Sequence, residues 1–407
     1  MYDLAAFAAW IEFAVRWLHV ITAIAWIGAS FYFIALDLGL HRDRNLASGA
    51  DGEEWQVHGG GFYHIQKYLV APENMPDGLI WHKWQSYWTW ISGFLLLILV
   101  YYLGAEFYLI DPAVLDLAAW QAIALSLASL AFGWLAYNTL CRVFVDADQT
   151  ILMIALFAVL VAMSIFYTSV FSGRAAMLHL GAFTATIMSA NVFMIIIPNQ
   201  KIVVDDLMAG RTPDAKYGKI AKQRSTHNNY LTLPVIFLML SNHYPLAFAT
   251  EYTWAIASLV FLMGVTIRHY FNSMHARQGE PHWTWALTVL IFMCIMWLST
   301  APMRDGDEPQ EASGAAAQFA AAAGYGEVHE IVVSRCSMCH AAEPVWDGLL
   351  WAPKGVKLET EYQITQHARA IYLQAGISHA MPPANLSYID EEERARIVAW
   401  YRAATGD

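Results

Sequence analysis

One five-residue run, CSMCH, sets Cys336, Cys339 and His340 at a spacing that can do chemistry. Two thiols so placed can form thioethers to a porphyrin while the adjacent imidazole reaches the iron, which is the attachment pattern of a c-type haem. A zinc site would want a second Cys or His pair, and no further Cys follows His340. A redox dithiol would want a βαβ setting, which is absent here. The neighbouring sequence supports haem. An amphipathic stretch, GEVHEIVVSRC, leads into the run, and HAMPPAN places Met381 in a Pro-rich loop forty-one residues after His340. DEEERARIVAWYRA then has acids in its first turn and apolar residues at helical spacing. Most Met residues merely fill cores. In this setting Met381 reads as the sixth iron ligand, and a thioether opposite imidazole favours accepting electrons.

A second group of polar residues clusters at the ends of apolar stretches. WHKWQSYWTW contributes His82, Lys83, Gln85 and Ser86, and AKQRSTHNNYLTLP contributes Arg224, His227, Asn228 and Asn229. IRHYFN adds Arg268, His269 and Asn272. Such a set suits a small, flat, polar anion: a cation meets its charge, amides read its edges and aromatic rings stack on its face. The plainer reading makes the basic residues topology determinants and the amides helix caps. That reading fits Lys216, Lys219 and Lys222 better than it fits Gln85, Asn228 and Asn229. On the opposite side stand His19 and His179, with Asn242 and His243. A lone His in an apolar helix is often just hydrogen-bonded to a neighbour, whereas His19 and His179 as a pair could ligate a b-type haem. Both readings stay open. Cys141 and Cys294 read as small buried hydrophobes.

The elements that must hold these groups follow from composition. Of 407 residues 57% are hydrophobic and 14% charged, against about 25% charged in soluble domains. Seventeen Trp, twenty Tyr and twenty Phe agree with a bilayer setting. A net charge of −11 leaves no basic footprint for nucleic acid. Eight stretches are apolar enough to span a bilayer, at approximately 16–38, 84–104, 118–140, 150–171, 176–198, 229–249, 252–271 and 283–301. The first is too long for a signal-peptide core and lacks a basic leader, so it is expected to stay as a span. Residues 1–301 carry a net charge of −4 and residues 302–407 one of −7. The chain therefore divides into a membrane domain (1–301), a linker rich in Gly, Ala, Pro and acids (302–320) and a small acidic domain (321–407). Lys and Arg crowd one set of loops, which predicts those loops to be cytoplasmic and both the N-terminus and the C-terminal domain to be periplasmic. WLHVITAIAWIGASFYFI lines up with MLHLGAFTATIMSANVFMI at a shift of 160, and Trp120 and Asn138 parallel Trp254 and Asn272. These matches predict a parallel repeat of four plus four helices. The expected fold is all-α: an eight-helix transmembrane bundle followed by a class I cytochrome c-like domain.

With these parts in this order, the sequence resembles the bacterial membrane-bound urate oxidases, in which an eight-helix domain is fused to a cytochrome c. The likeness covers nearly the whole chain and rests on WLHVITAIAWIGASFYFI, STHNNYLTLPVIFLMLSNHYP, RCSMCHAAEP and MPPAN. It implies oxidation of urate to 5-hydroxyisourate in purine catabolism at the bacterial inner membrane. Electrons would leave through one covalent haem c towards a soluble cytochrome c or a terminal oxidase. The resemblance carries no residue assignment. From the residues themselves, His82 and His227 are candidates for base or anchor, Arg224 and Arg268 for the anion, and Gln85 and Asn228 for edge recognition. Two other classes compete. A quinol-to-cytochrome electron-transfer protein with haem b would reduce the C-terminal domain without urate, and a transporter with a redox-sensing tail would show flux without haem reduction.

Overall fold

The computed structural model describes all residues except 1–3, 44, 69–77, 146–147, 301–313, 347–348, 350–351 and 407. Ten helices form the body: α1 (Leu4–Gly39), α2 (Trp84–Leu96), α3 (Ala105–Tyr108), α4 (Ala119–Val143), α5 (Gln149–Thr168), α6 (Gly173–Ala190), α7 (Ile197–Met208), α8 (Ala215–Leu240), α9 (Thr253–His275) and α10 (Trp283–Ser299). A π-helical turn, Leu97–Tyr102, prolongs α2, and another, Asn191–Ile196, joins α6 to α7. All eight apolar stretches are helical, yet among the described residues only five helices are long and apolar enough to cross a membrane. The other three fall short for local reasons. The second stretch splits between α2 and its π turn, α8 is polar through its first half, and α10 has 17 residues.

Some element boundaries are spaced alike in the two halves of the body. α4 and α5 begin at residues 119 and 149, and α9 and α10 begin 134 residues later, at 253 and 283. Contacts follow the same pattern: α1 packs on α8 and α9 as α6 packs on α2 and α4. Close approach depends on glycine where helices cross. A Cβ on Gly264 of α9 would stand 2.5 Å from Pro234 of α8, and one on Gly133 of α4 would stand 2.5 Å from Phe183 of α6. Much of the outer surface is apolar. α1 has no buried residue, and Trp10, Trp17, Trp120 and Trp297 are exposed. So large an apolar exterior is the mark of an interaction with lipid or with another protein.

The all-helical expectation misses one element. β1 (Ala50–His58) and β2 (Gly61–Tyr68) pair as an antiparallel hairpin, with Trp55 opposite His64 and their rings stacked at 4.2 Å. Gly59 and Gly60 have positive φ, as the tight turn needs. The Tyr32 hydroxyl of α1 donates to Gln56 at 2.8 Å and holds the hairpin against the body.

The C-terminal unit comprises α11 (Ala315–Ala320), α12 (Tyr325–Arg335), α13 (Ser337–His340), α14 (Glu361–Gln366), α15 (Ala368–Ile371) and α16 (Glu391–Thr405). Its core gathers Phe319, Val328, Ile364, Ile397 and Trp400, and the Trp400 indole donates to the Phe319 carbonyl at 2.8 Å. The helix at 315–320, placed by sequence in the linker, thus packs into this unit. Asp390 and Glu393 cap α16 reciprocally. The unit meets the body where Phe319 lies against Phe107 and Gly355 against Pro245. This is the end at which α6 begins.

Overpacking a tight crossing costs about 1–3 kcal/mol. Gly264→Ala should therefore lower the thermal unfolding midpoint in detergent. Gly218→Ala, whose added Cβ meets nothing within 4 Å, should leave the midpoint unchanged or slightly raised.

Candidate functional site

α8 builds the centre. Asp214 caps its start by accepting from the Lys216 amide, and the helix then carries Arg224, His227, Asn228 and Asn229 inward. All four are buried, at 3, 5, 5 and 0% exposure. The Arg224 guanidinium donates to Asn138 Oδ1 at 3.0 Å and to Asn191 Oδ1 at 3.3 Å, and lies 4.9 Å over the Tyr137 ring. Asn191 donates in turn to the Tyr137 hydroxyl at 2.9 Å and to Asn228 Oδ1 at 3.0 Å. The same hydroxyl shares a hydrogen bond with His227 Nδ1 at 2.8 Å. Asn191 opens the π turn, a geometry that often marks functional positions because the extra residue re-aims a side chain.

On the adjacent face of α8 the pattern repeats. Arg268 of α9, 5% exposed, donates to Asn229 Oδ1 at 3.1 Å and to Asn272 Oδ1 at 2.9 Å, with Phe31 of α1 4.3 Å beneath it. Asn138 and Asn272, matched by the sequence repeat, thus serve the same purpose on two different arginines. Among the described residues no carboxylate pairs with either guanidinium. Two buried donors also lack an acceptor, Arg224 Nε and Asn229 Nδ2. Two buried cations without a carboxylate among the described residues, Arg224 on α8 and Arg268 on α9, and two donors without an acceptor make a setting that suits an anion rich in acceptors.

The structure does not tie all the predicted residues to this centre. His82 is exposed, its nitrogen 3.5 Å from Gln85 Nε2 and its ring 4.8 Å from Phe33. Neither it nor Gln85 bonds to the buried network, so their candidacy is withdrawn. His269 rests near Trp283 and also stands outside the network. Lys222 forms an ion pair with Asp37 at 3.0 Å, as the plainer reading expects. Conversely, Tyr137, Asn138 and Asn191 belong to the site and were passed over. Their signal was present, since each is a polar residue inside an apolar stretch.

His19 and His179 do not form a pair. His19 Nδ1 meets the Thr89 carbonyl at 3.0 Å and Ser92 Oγ at 3.1 Å, between α1 and α2. His179 is fully buried, with Nδ1 on the Ala175 carbonyl at 2.8 Å and Nε2 on Ser126 Oγ at 2.9 Å. Both of its nitrogens are spent, so we assign no b-type haem to these two residues. Asn242 is likewise satisfied, accepting from Tyr101 at 2.9 Å and Arg174 at 3.3 Å.

The C-terminal residues fit a c-type haem. His340 Nδ1 lies 2.8 Å from the Val356 carbonyl and must donate there, which orients the ring and leaves Nε2 free for iron. Burial pushes the Cys336 thiol up to about 12, as for a sulfur facing an apolar space. Met381, Leu386 and Tyr388 expose apolar surface along one loop, which Arg394 braces through the Met381 carbonyl at 3.0 Å. A flat apolar group would cover that surface. Among the described residues no three His, Cys, Asp or Glu side chains converge as metal ligands.

Burial, with His340 and Arg174 adding to it, pushes His367 down to about 4. The folded unit keeps this ring neutral while the unfolded chain protonates it near 6.5. Stability is therefore complete above that value and falls as pH drops towards 4, by at most about 1.4 kcal/mol per pH unit. Urea unfolding between pH 7 and 4 should show the decline, and His367→Gln should flatten it.

A family model described as "Urate oxidase N-terminal" matches residues 5–299. Neither a curated protein nor a solved structure matches the chain.

Proposed function

Because the chain belongs to the urate oxidase N-terminal family, we propose that it oxidises urate to 5-hydroxyisourate. In this reading it does so at the α8–α9 guanidinium cluster, within the bacterial inner membrane, and passes the electrons on through its C-terminal unit. The observation that carries the reading is the pair of buried arginines without carboxylates. Burying a guanidinium without a counter-ion costs several kcal/mol, and urate at neutral pH is a planar anion ringed by carbonyl oxygens. Arg224 and Arg268 neutralise its charge. Arg224 Nε and Asn229 Nδ2 gain the acceptors they lack, and Asn228 reads an edge.

The reaction removes two electrons, and water oxygen bonds to C5. A base must take a proton as this happens. His227 is positioned for it: Nδ1 is held by the Tyr137 hydroxyl, and Nε2 makes no hydrogen bond to the described residues. Burial excludes bulk water and strengthens each of these contacts. Cys336 and Cys339 would bind a haem covalently, and His340 and Met381 would hold its iron. When bound, the haem supplies a one-electron carrier facing a soluble cytochrome c or terminal oxidase. The exposed apolar helices and the basic loops support a multi-pass membrane protein with its C-terminal unit in the periplasm.

A hydrogen bond to a charged group is worth about 1.5–3 kcal/mol. Arg224→Gln should accordingly lower kcat/KM for urate roughly 10- to 100-fold. Arg224→Lys should not rescue it, since an ammonium lacks the planar fork. Lys219→Gln, on the exposed face of α8, should behave as wild type. Wild-type turnover by Arg224→Gln would remove the basis of the reading.

A further inference from the structure

We propose that the crevice between α5, α8 and α9 receives the ring of a lipid-soluble quinone, which takes the two electrons removed from urate. This rests on the urate reading and names the acceptor used at the same site. The need for such an acceptor is geometric. The C-terminal unit touches the body where α6 begins, and His367 there feels the charge of Arg174. Asn191, which contacts Arg224, lies 17 residues farther along the same continuous helix. At 1.5 Å per residue that is about 25 Å, before any distance inside the C-terminal unit is added. An electron does not cross such a gap in one step at a catalytic rate, and the hydrogen bonds of His19 and His179 tie each ring to its own neighbours rather than to a shared group.

The crevice has the form such a ligand requires. Its volume is about 250 Å³, its walls include Phe157, Leu160 and Phe261, and it ends at His227 and Tyr137. Ile154 and Leu262, on its margin, are 64% and 37% exposed, so it opens on the apolar outer surface of the helices. A prenylated quinone needs an apolar slot for ring and tail, with a polar donor at one carbonyl. Urate, with its negative charge and three N–H groups, could not be desolvated there without a large cost. The Tyr137–His227 pair belongs to both spaces, closing the apolar crevice and bonding to the guanidinium network.

The step balances. Water oxygen forms a bond to C5, one proton leaves water and another leaves a urate N–H. The quinone gains both electrons and two protons and becomes quinol. Quinol, free to move in the bilayer, would release its two protons to water and give its two electrons one at a time to the haem that Cys336 and Cys339 would hold, each passing on to an external acceptor before the next arrives.

The test uses the full-length haem-loaded protein in nanodiscs of synthetic lipid, anaerobically, with and without decylubiquinone. Urate should reduce the haem at least tenfold faster with the quinone present, and one quinol should form per urate consumed. Leu160→Trp, which fills the crevice, should abolish that acceleration while urate binding by equilibrium dialysis is unchanged. Photolabelling of the wild-type protein by an azidoquinone, competed by decylubiquinone, should mark α5, and this arm does not depend on the variant folding. Equally fast haem reduction without quinone, or no competed label on α5 because lipid alone fills the crevice, would overturn the proposal while leaving the urate reading intact. Absence of urate binding to wild-type protein would instead sink the urate reading, and this inference with it.

Discussion

Two guanidinium groups buried without a carboxylate set the terms for the rest of this structure. An isolated buried cation is unstable unless hydrogen bonds and a counter-charge replace water. The fold supplies the first to Arg224 and Arg268 through four asparagines, Asn138, Asn191, Asn229 and Asn272, and stacks each cation on an aromatic ring. It withholds the second. Amide oxygens orient a guanidinium but leave its charge unneutralised, which is the condition the proposed anion site requires.

That packing explains several otherwise separate features. Gly264 lets α9 approach the Pro234 ring, which brings Arg268 and Asn272 against Asn229. The π turn at Asn191 swings an amide into the space between Tyr137 and Arg224, where a regular helix would aim it elsewhere. Tyr137 then links the network to His227 and to the apolar crevice. The C-terminal unit meets the body at the end where α6 begins, opposite the end that carries Asn191.

Sequence made the chemistry-bearing types legible but not their pairing. The helical stretches could be read directly, because hydrophobic periodicity expresses them. Arg224, His227, Asn228 and Arg268 stood out as polar groups at helix ends, and each is in the buried network. His82 and Gln85 looked equivalent, yet His82 lies on an exposed turn and Gln85, half-buried in the first turn of α2, bonds through its side chain only towards His82, since burial depends on which neighbour covers a helix end. Tyr137, Asn138 and Asn191 hid inside apolar stretches, where a single polar residue barely alters the average. The hairpin at 50–68 escaped because its alternation is short, Trp55 and Val57 between Glu54, Gln56 and His58, in a segment read as a loop between apolar stretches. Phe319, in a segment of linker composition, is fixed by tertiary contact with Trp400 and Tyr401.

The placement of the anion tests this account most directly. A structure of the full-length protein determined anaerobically with urate, for example by cryo-electron microscopy, should show planar density within hydrogen-bond reach of Arg224 Nε and Asn229 Nδ2, the two donors that lack partners without it. Density confined to the seam beside the C-terminal unit, near Arg174 and His243, with Arg224 and Arg268 unliganded, would contradict it.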